Sequence, residues 1–203
     1  MRVKHFTVGE LYTNCYILIS EKNRAAVIDP GGNGKELLDW LQREGIKVRY
    51  ILLTHGHYDH IKDAPFLRDK TGGEVCIHPL DGDMLSDRVK SLGVFLGGAT
   101  QKYISPGRLL REGDTLELDE LTISVLETPG HTPGSLSFLC GDLLFSGDTL
   151  FCRGRGRTDF PGGNEGELFR SIDRLFSLEG DYRLLSGHGE ESTLRAEEAG
   201  GVF

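Results

Sequence analysis

Residues 53–60 read Leu53-Thr54-His55-Gly56-His57-Tyr58-Asp59-His60 and place three histidines and an aspartate within six positions. Three imidazoles this close would repel one another if they were protonated, so the pattern favours a cation between them. An H-x-H-x-D-H match arises by chance far less often than a lone pair of histidines. The segment therefore predicts a metal site.

The composition is that of an acidic chain of 203 residues, with 23 Lys+Arg against 31 Asp+Glu and a net charge of −8. A chain of this length can bury a substantial core, and we predict one domain over residues 1–203. Lysine and arginine form no block of the kind that binds a phosphate backbone, so no nucleic-acid partner is expected. No run approaches the ~20 apolar residues that cross a bilayer, so no membrane partner is expected either. The oligomeric state stays open.

The cysteines show no C-x-x-C pairing, and three of the four, Cys15, Cys76 and Cys140, lie in apolar strand-like runs. A buried free thiol there behaves as a small hydrophobic group, and a reducing compartment fits this usage. The first residues contain no apolar segment of the signal-peptide type. We therefore predict a cytoplasmic protein.

Short apolar runs alternate with turn residues along the chain. Strands buried on both faces are predicted for residues 15–19, 25–28, 50–53, 75–77, 136–139 and 143–145. Residues 121–126 instead alternate apolar and polar side chains, as a strand with one polar face does. Helices outside such buried sheets imply a layered α/β architecture.

Capping boxes, Asn33 with Glu36 and Asn164 with Glu167, indicate the starts of two helices. A third helix is predicted over residues 65–70, before Gly72. Residues 83–103 have weak periodicity and predict a mobile excursion with at most a short helix.

Histidines and aspartates follow the ends of the predicted strands. If these ends meet at one edge, seven metal-ligand candidates converge: His55, His57, Asp59, His60, His131, Asp148 and His188. Glycine precedes four of them, which lets the backbone pack close to the site.

Seven nitrogen and oxygen ligands are too many for one tetrahedral zinc, but they suit two metals that share a carboxylate, with Asp148 as the natural bridge. Imidazole and carboxylate without thiolate favour Zn, Fe or Mn, and the sequence does not decide among them. Two cations ~3.5 Å apart would lower the pKa of a bridging water enough to hold hydroxide near neutral pH. Such a hydroxide is the nucleophile of a hydrolase.

Four segments in this order resemble the metallo-β-lactamase-fold hydrolases, in particular the glyoxalase II-like group. They are the H-G-H-Y-D-H segment, P-G-H-T-P-G around His131, S-G-D-T-L-F around Asp148 and S-G-H-G around His188. Residues 156–163, G-R-T-D-F-P-G-G, are similar to a segment found in short glyoxalase II-like proteins and in persulfide dioxygenases. The resemblance implies a four-layer αββα sandwich with the metals at one edge, between two sheets.

The resemblance also implies the ligand sets. His55, His57 and His131 would hold the first of two divalent metals, with zinc the leading element. Asp59, His60 and His188 would hold the second. Asp148 would bridge, and Asp59 and Asp148 would hold the hydroxide.

The chain departs from the glutathione-binding members of this group. Only residues 189–203 follow His188, so the C-terminal helical extension that bears their cationic glutathione site is not expected. Arg157 falls where those enzymes place a lysine, but Asp159 stands where they have a tyrosine. Arg157 and Tyr58 are substrate-binding candidates, and the alternative for Arg157 is that it pairs with Asp159 or with a helix end in the interior.

Other polar residues are not predicted to bind the metals directly. Asp29 would either orient a metal-bound histidine or close a turn. Arg153 and Arg155 are further candidates for a substrate carboxylate. We expect His78 to be structural, His5 to lie on the surface, and Cys152 not to be a ligand.

The predicted function is a dinuclear metallohydrolase of a small thioester, such as a hydroxyacyl-glutathione. The first competitor is a persulfide dioxygenase with one Fe(II) held by a facial triad of His55 or His57, His131 and Asp148. A lactonase or phosphoesterase is a further hydrolase alternative. A metal-stabilised binding module would need a closed coordination sphere, which seven ligands and a bridging water do not form.

Overall fold

The computed structural model of the protein describes residues 1–96 and 102–201. The strands are β1 Arg2–Val8, β2 Thr13–Ile19, β3 Arg24–Ile28, β4 Lys47–Leu52, β5 Glu74–Ile77, β6 Arg108–Leu109, β7 Thr115–Leu118, β8 Leu121–Glu127, β9 Leu136–Cys140, β10 Leu143–Gly147, β11 Leu150–Phe151, β12 Gly154–Arg155, β13 Arg183–Ser186 and β14 Ser192–Thr193. The helices are α1 Gly34–Arg43, α2 Tyr58–Ile61, α3 Ala64–Thr71, α4 Glu165–Phe176 and α5 Leu194–Gly200, with a 3₁₀ helix at Pro79–Leu85.

Twelve of these strands form two six-stranded sheets. The first has the order β1-β2-β3-β4-β5-β6, antiparallel from β1 to β3 and parallel from β3 to β6. The second has the order β14-β13-β10-β9-β8-β7, antiparallel except for the parallel pair β10 and β13. Strands β11 and β12 form a short ribbon beside the second sheet.

Three apolar cores hold the layers together. The inner faces of the two sheets pack on each other through Tyr16, Phe138 and Phe145. Helices α1 and α3 cover the outer face of the first sheet, and α4 and α5 cover the outer face of the second. Each sheet is therefore buried on both faces, which confirms the predicted αββα sandwich and explains why its strands read as continuous apolar runs.

The two capping predictions have different outcomes. Asn164 accepts a hydrogen bond from the Glu167 N–H at 3.1 Å, so α4 begins as predicted. Helix α1 also begins directly after Asn33, as predicted, but the predicted capping contact is wrong, because the Asn33 side chain makes no capping hydrogen bond to α1. Its backbone is left-handed, with φ of 56°, whereas a capping side chain needs an extended backbone. The carboxylate of Asp63 accepts from the Gly34 N–H in its place, at 2.8 Å.

Between residues 83 and 103, the described residues 83–96 and 102–103 are mostly irregular and contain no α-helix, in agreement with the prediction of at most a short helix. The 3₁₀ helix runs into this stretch and turns follow to residue 96, while residues 97–101 lie outside the described part of the chain. Within the described ranges, no helix has the length and apolar character needed to cross a membrane.

Candidate metal centre

The seven predicted ligands meet at one edge of the sandwich. The loop after β4 and helix α2 supplies four of them, and the loops after β8, β10 and β13 supply the other three. Their donor atoms form three groups, each with its atoms within 4.8 Å of one another: His55, His57 and His131; His55, His60 and Asp148; Asp59, His60 and His188. The first and the last of these are the two sets that the sequence resemblance implies, here called the first and the second donor group.

The first group consists of buried imidazoles. His57 Nδ1 and His131 Nε2 lie 2.9 Å apart, and the buried Nε2 of His55 has no hydrogen-bond partner. Burial and the neighbouring His131 lower the pKa of His57 to about 3. Burial and the surrounding imidazoles also hold the pKa of His55 well below its usual range. Both rings are therefore neutral near pH 7, with lone pairs available to a cation.

The second group mixes imidazoles with a carboxylate. His60 Nε2 lies 3.3 Å from His188 Nε2 and 3.5 Å from Asp59 Oδ2, and His188 Nε2 lies 3.3 Å from the same oxygen. Burial alone would lower the pKa of His60, but the carboxylates of Asp148, Asp59 and Asp29 outweigh it and raise that pKa to about 10. This part of the site therefore attracts positive charge.

Asp148 lies between the two groups. Its Oδ1 is 3.4 Å from His60 Nε2, while its Oδ2 is 3.5 Å from His131 Nε2 and 3.6 Å from His188 Nε2. The buried Oδ1 has no hydrogen-bond partner. A buried polar atom without a partner, such as this oxygen or His55 Nε2, costs folding free energy unless an ion binds it. The set of nitrogen and oxygen atoms therefore fits divalent metals.

Three of the predicted ligand histidines use their other ring nitrogen to contact the surrounding structure. His60 Nδ1 is 2.9 Å from Asp29 Oδ2, and His131 Nδ1 is 2.7 Å from the Arg157 carbonyl oxygen. His55 Nδ1 lies 3.1 Å from Thr54 Oγ1. Contacts of this kind fix the tautomer and orientation of metal-binding imidazoles.

Asp29 also joins the ends of two strands. Its carboxylate accepts from the Thr54 N–H at 2.8 Å and from Thr54 Oγ1 at 2.6 Å. Its backbone has a φ of 51°. Of the two roles open from the sequence, the geometry supports the orientation of His60 and adds a hydrogen-bonded link between the ends of β3 and β4.

Asp81 is a residue of this site that the sequence analysis missed. Its carboxylate is fully buried and accepts from the Gly56 N–H at 3.0 Å, from Thr132 Oγ1 at 2.7 Å and from the Gly134 N–H at 2.9 Å. It therefore ties the loop between His55 and His57 to the loop after His131. No sequence spacing links these positions, so only the fold reveals the contact.

Glycines allow the loops of the site to approach one another. A Cβ at Gly187 would lie 2.2 Å from Asp148 Oδ1, and one at Gly156 would lie 1.9 Å from the Asp148 carbonyl oxygen. At Gly31 it would lie 1.4 Å from the Asp59 carbonyl oxygen. The predicted close packing extends to Gly31 and Gly156, which do not directly precede a ligand.

A cleft of about 910 Å³ opens above the donors. Five of the predicted ligands line it, namely His57, Asp59, His131, Asp148 and His188, together with Arg155 and Arg157 and a mainly apolar wall. Tyr58 does not line it and lies in a small adjoining pocket with Lys62. The side chain of Arg157 is 58% exposed and makes two 2.6 Å hydrogen bonds to Asp159, so the alternative ion pair is present at the surface.

The other polar residues lie apart from the donors. His78 Nε2 is 2.9 Å from Glu127 Oε1, which agrees with a structural role. His5 is half-buried rather than a surface residue, because its ring stacks on Tyr16. Cys152 belongs to none of the three donor groups.

Comparison with known families identifies the chain. Residues 8–188 match the model of the metallo-beta-lactamase superfamily. The chain is 36% identical to the probable metallo-hydrolase YqgX of Bacillus subtilis, over 98% of this chain and 95% of the relative. It is 32% identical to the hydroxyacylglutathione hydrolase GloC of Haemophilus influenzae, over 100% and 98% of the two chains. The chain belongs to the metallo-beta-lactamase superfamily and is a metal-dependent hydrolase by class.

Solved structures agree with this assignment. The crystal structure of the BLEG-1 B3 metallo-beta-lactamase superposes with a TM-score of 0.93 at 35% identity, covering 98% of this chain and 97% of the other. A crystal structure of TTHA1623 in a di-iron-bound form gives a TM-score of 0.84 at 35% identity, covering 96% of each chain. Both likenesses extend over nearly the whole fold.

Proposed function

We propose that the protein is a dinuclear metal-dependent hydrolase of small thioesters. The observation that carries the proposal is the position of Asp148, whose carboxylate lies within 3.6 Å of donors from both sets, His131 of the first and His60 and His188 of the second. The similarity to TTHA1623, which was crystallised with two irons, supports two ions. The similarity to a protein named hydroxyacylglutathione hydrolase supports a thioester as the substrate.

The chain would hold one ion with His55, His57 and His131 and the other with Asp59, His60 and His188, and Asp148 would contact both. Two such ions acidify a water and polarise the substrate carbonyl, and zinc, iron and manganese all accept these donors. Asp29 and the Arg157 carbonyl hold two of the imidazoles in position. A thiolate leaves without prior protonation, so no protein acid is required.

A persulfide dioxygenase with one Fe(II) is the second candidate. It is favoured by residues 156–160, the G-R-T-D-F segment, whose Arg157 carbonyl contacts the ring of the ligand candidate His131. Its facial triad would be His131, Asp148 and either His55 or His57. That activity would need one ion and would consume oxygen, whereas the proposed thioester hydrolysis would need two ions and no oxygen.

Metal content per chain tests the dinuclear site. The metal-replete protein is expected to hold two ions, and Asp148→Ala is expected to lose both together with activity, because one carboxylate serves both. Asp142→Ala is the matched control, since Asp142 is exposed at the opposite end of β10. A single ion per chain in the metal-replete wild type would reject the dinuclear proposal and favour the dioxygenase.

An activity panel on the same sample tests the reaction. It contains a glutathione thioester, an uncharged thioester, a lactone, a phosphoester, a β-lactam and a glutathione persulfide with an oxygen electrode. We expect thioester hydrolysis to give the highest kcat/KM and oxygen consumption to be absent. Turnover of another ester class with inert thioesters would refute the thioester assignment.

A further inference from the structure

Apart from the metal-ligand candidates and the two arginines Arg155 and Arg157, the wall of the cleft is mainly apolar. It includes Leu11, Val89, Leu92, Phe95, Leu96 and Phe160. Phe95 is 78% exposed and Val89 is 65% exposed. A contiguous exposed apolar surface of this kind marks a binding site, because water contact with large apolar groups is unfavourable.

Aromatic rings flank both donor groups. The ring of Phe160 lies 5.7 Å from that of His57 in the first group, and the ring of Phe151 lies 6.1 Å from that of His188 in the second. A thioester whose carbonyl lies above the donors would therefore meet apolar side chains on its acyl side and on its thiol side.

The two arginines of the cleft already have anionic partners. Arg155 Nη2 lies 3.0 Å from Glu165 Oε1, and the guanidinium packs 4.4 Å above the ring of Phe169. Arg157 pairs with Asp159 and packs 4.1 Å above the ring of Phe160. Among the described residues that line the cleft, both arginines already pair with carboxylates, and there is no lysine. None of these residues therefore offers an unpaired positive charge to a substrate anion.

A glutathionyl group brings two carboxylates and an ammonium into the cleft. Such groups lose hydration when they enter an apolar cleft, and without partners that loss weakens binding. Burial of an alkyl or aryl group in the same cleft is favourable, because it removes apolar surface from water. The composition of the wall therefore favours an uncharged substrate.

We propose that the cleft selects thioesters that are uncharged and apolar on both sides of the thioester bond, such as alkanoyl or aroyl thioesters of an uncharged thiol, over glutathione thioesters. The inference rests on the proposed thioester hydrolysis and narrows its substrate class. A cleft of about 910 Å³ lies in the range that accommodates a ligand of this size.

The test compares two thiols across one series of acyl lengths. Acetyl, butanoyl and hexanoyl thioesters are prepared with N-acetylcysteamine and with glutathione and assayed with metal-replete protein. We expect kcat/KM to rise about two- to fourfold per methylene and to be higher for N-acetylcysteamine at each length. A flat series or a preference for glutathione would overturn the inference while leaving thioester hydrolysis intact. Failure to hydrolyse any of the six thioesters would instead reject the proposed function.

Variants locate the selectivity in the cleft. Phe95→Ser and Leu11→Ser, at exposed positions of the wall, are expected to reduce the gain per methylene. Val94→Ser is the matched control, since Val94 is 47% exposed and does not line the cleft. Calorimetric affinity for S-hexyl-N-acetylcysteamine, a thioether that cannot be hydrolysed, should fall in the same two variants. Unchanged affinity and unchanged chain-length dependence in both would overturn the inference.

The same surface could instead be covered by a second copy of the chain, and sedimentation separates the two outcomes. The inference expects the same oligomeric state for Phe95→Ser and the wild type. Dissociation of an oligomer by Phe95→Ser, with the chain-length dependence retained, would identify an interface and overturn the substrate-binding inference.

Discussion

Asp81 is a buried carboxylate that accepts three hydrogen bonds and has no cationic partner among its hydrogen bonds. Burial raises its pKa, although the hydrogen bonds from Thr132, Gly56 and Gly134 oppose that shift. Its partners belong to the two loops that carry the first donor group. We therefore regard Asp81 as a positioning residue.

Replacement of Asp81 tests this role. Asp81→Ala should weaken metal affinity about 10- to 100-fold, because the loops that orient His57 and His131 lose their common anchor. A calorimetric titration with the metal measures the affinity. The control is Asp83→Asn, which changes an exposed carboxylate two residues away. A loss of thermal stability with unchanged metal affinity would reduce Asp81 to a purely structural role.

Arg157 was a candidate for binding an anionic end of the substrate, and its ion pair with Asp159 predicts a different result. Arg157→Met should leave KM for a carboxylated thioester nearly unchanged and lower the melting temperature little, since exposed pairs contribute little. Asp159→Asn should release the guanidinium and lower KM for carboxylated thioesters alone. Steady-state kinetics on both variants decides, and a large rise in KM in Arg157→Met would restore the recognition role.

Among the elements, the strands were the most predictable from the sequence. The run containing Cys15 and Ile17 is apolar at both faces because β2 packs against helices on one side and against the second sheet on the other, and all seven residues of β2 are buried. The start of α1 after Asn33 was predictable, but its capping was not, because the Asn33 side chain accepts from the N–H of the distant Gly9 instead of from α1.

The two helix starts give a stability prediction at this scale. Asn164→Ala should cost about 1 kcal/mol of unfolding free energy, because it removes a capping hydrogen bond. Asn33→Gly should cost only a few tenths of a kcal/mol, because glycine tolerates the left-handed backbone. Urea unfolding of both variants measures the difference. Equal destabilisation would show that the two asparagines act alike.

The site was predictable to the extent that it resides in local motifs. The H-x-H-x-D-H segment and the histidines and aspartates after strand ends identify the seven donors, since strand ends meet at one edge. Asp81 was not predictable, because its role depends on contacts between distant loops. The pair of Arg157 with Asp159 joins residues two positions apart and was one of the alternatives that the sequence offered. Tyr58 shares the motif, but helix α2 turns it away from the cleft.

At the scale of the whole molecule, metal removal should lower stability. Ions that bind only the folded chain add about 4 kcal/mol at a free concentration 1,000 times their Kd, which corresponds to a shift of about 10 °C for a chain of this size. Differential scanning calorimetry with and without a chelator measures the shift. The chelator should have no further effect on Asp148→Ala, and equal melting temperatures for loaded and stripped wild type would contradict the expectation.

The division of the donors between the two sheets has a consequence for assembly. The first sheet contributes the four ligands of residues 55–60, and the loops of the second contribute the other three, so neither half owns a complete site. If the halves were produced as separate polypeptides, the apolar surface between them would favour their association. The ions would then hold the two halves together reversibly. Catalytic activity would then measure the association of the two fragments, and a chelator would cause them to dissociate.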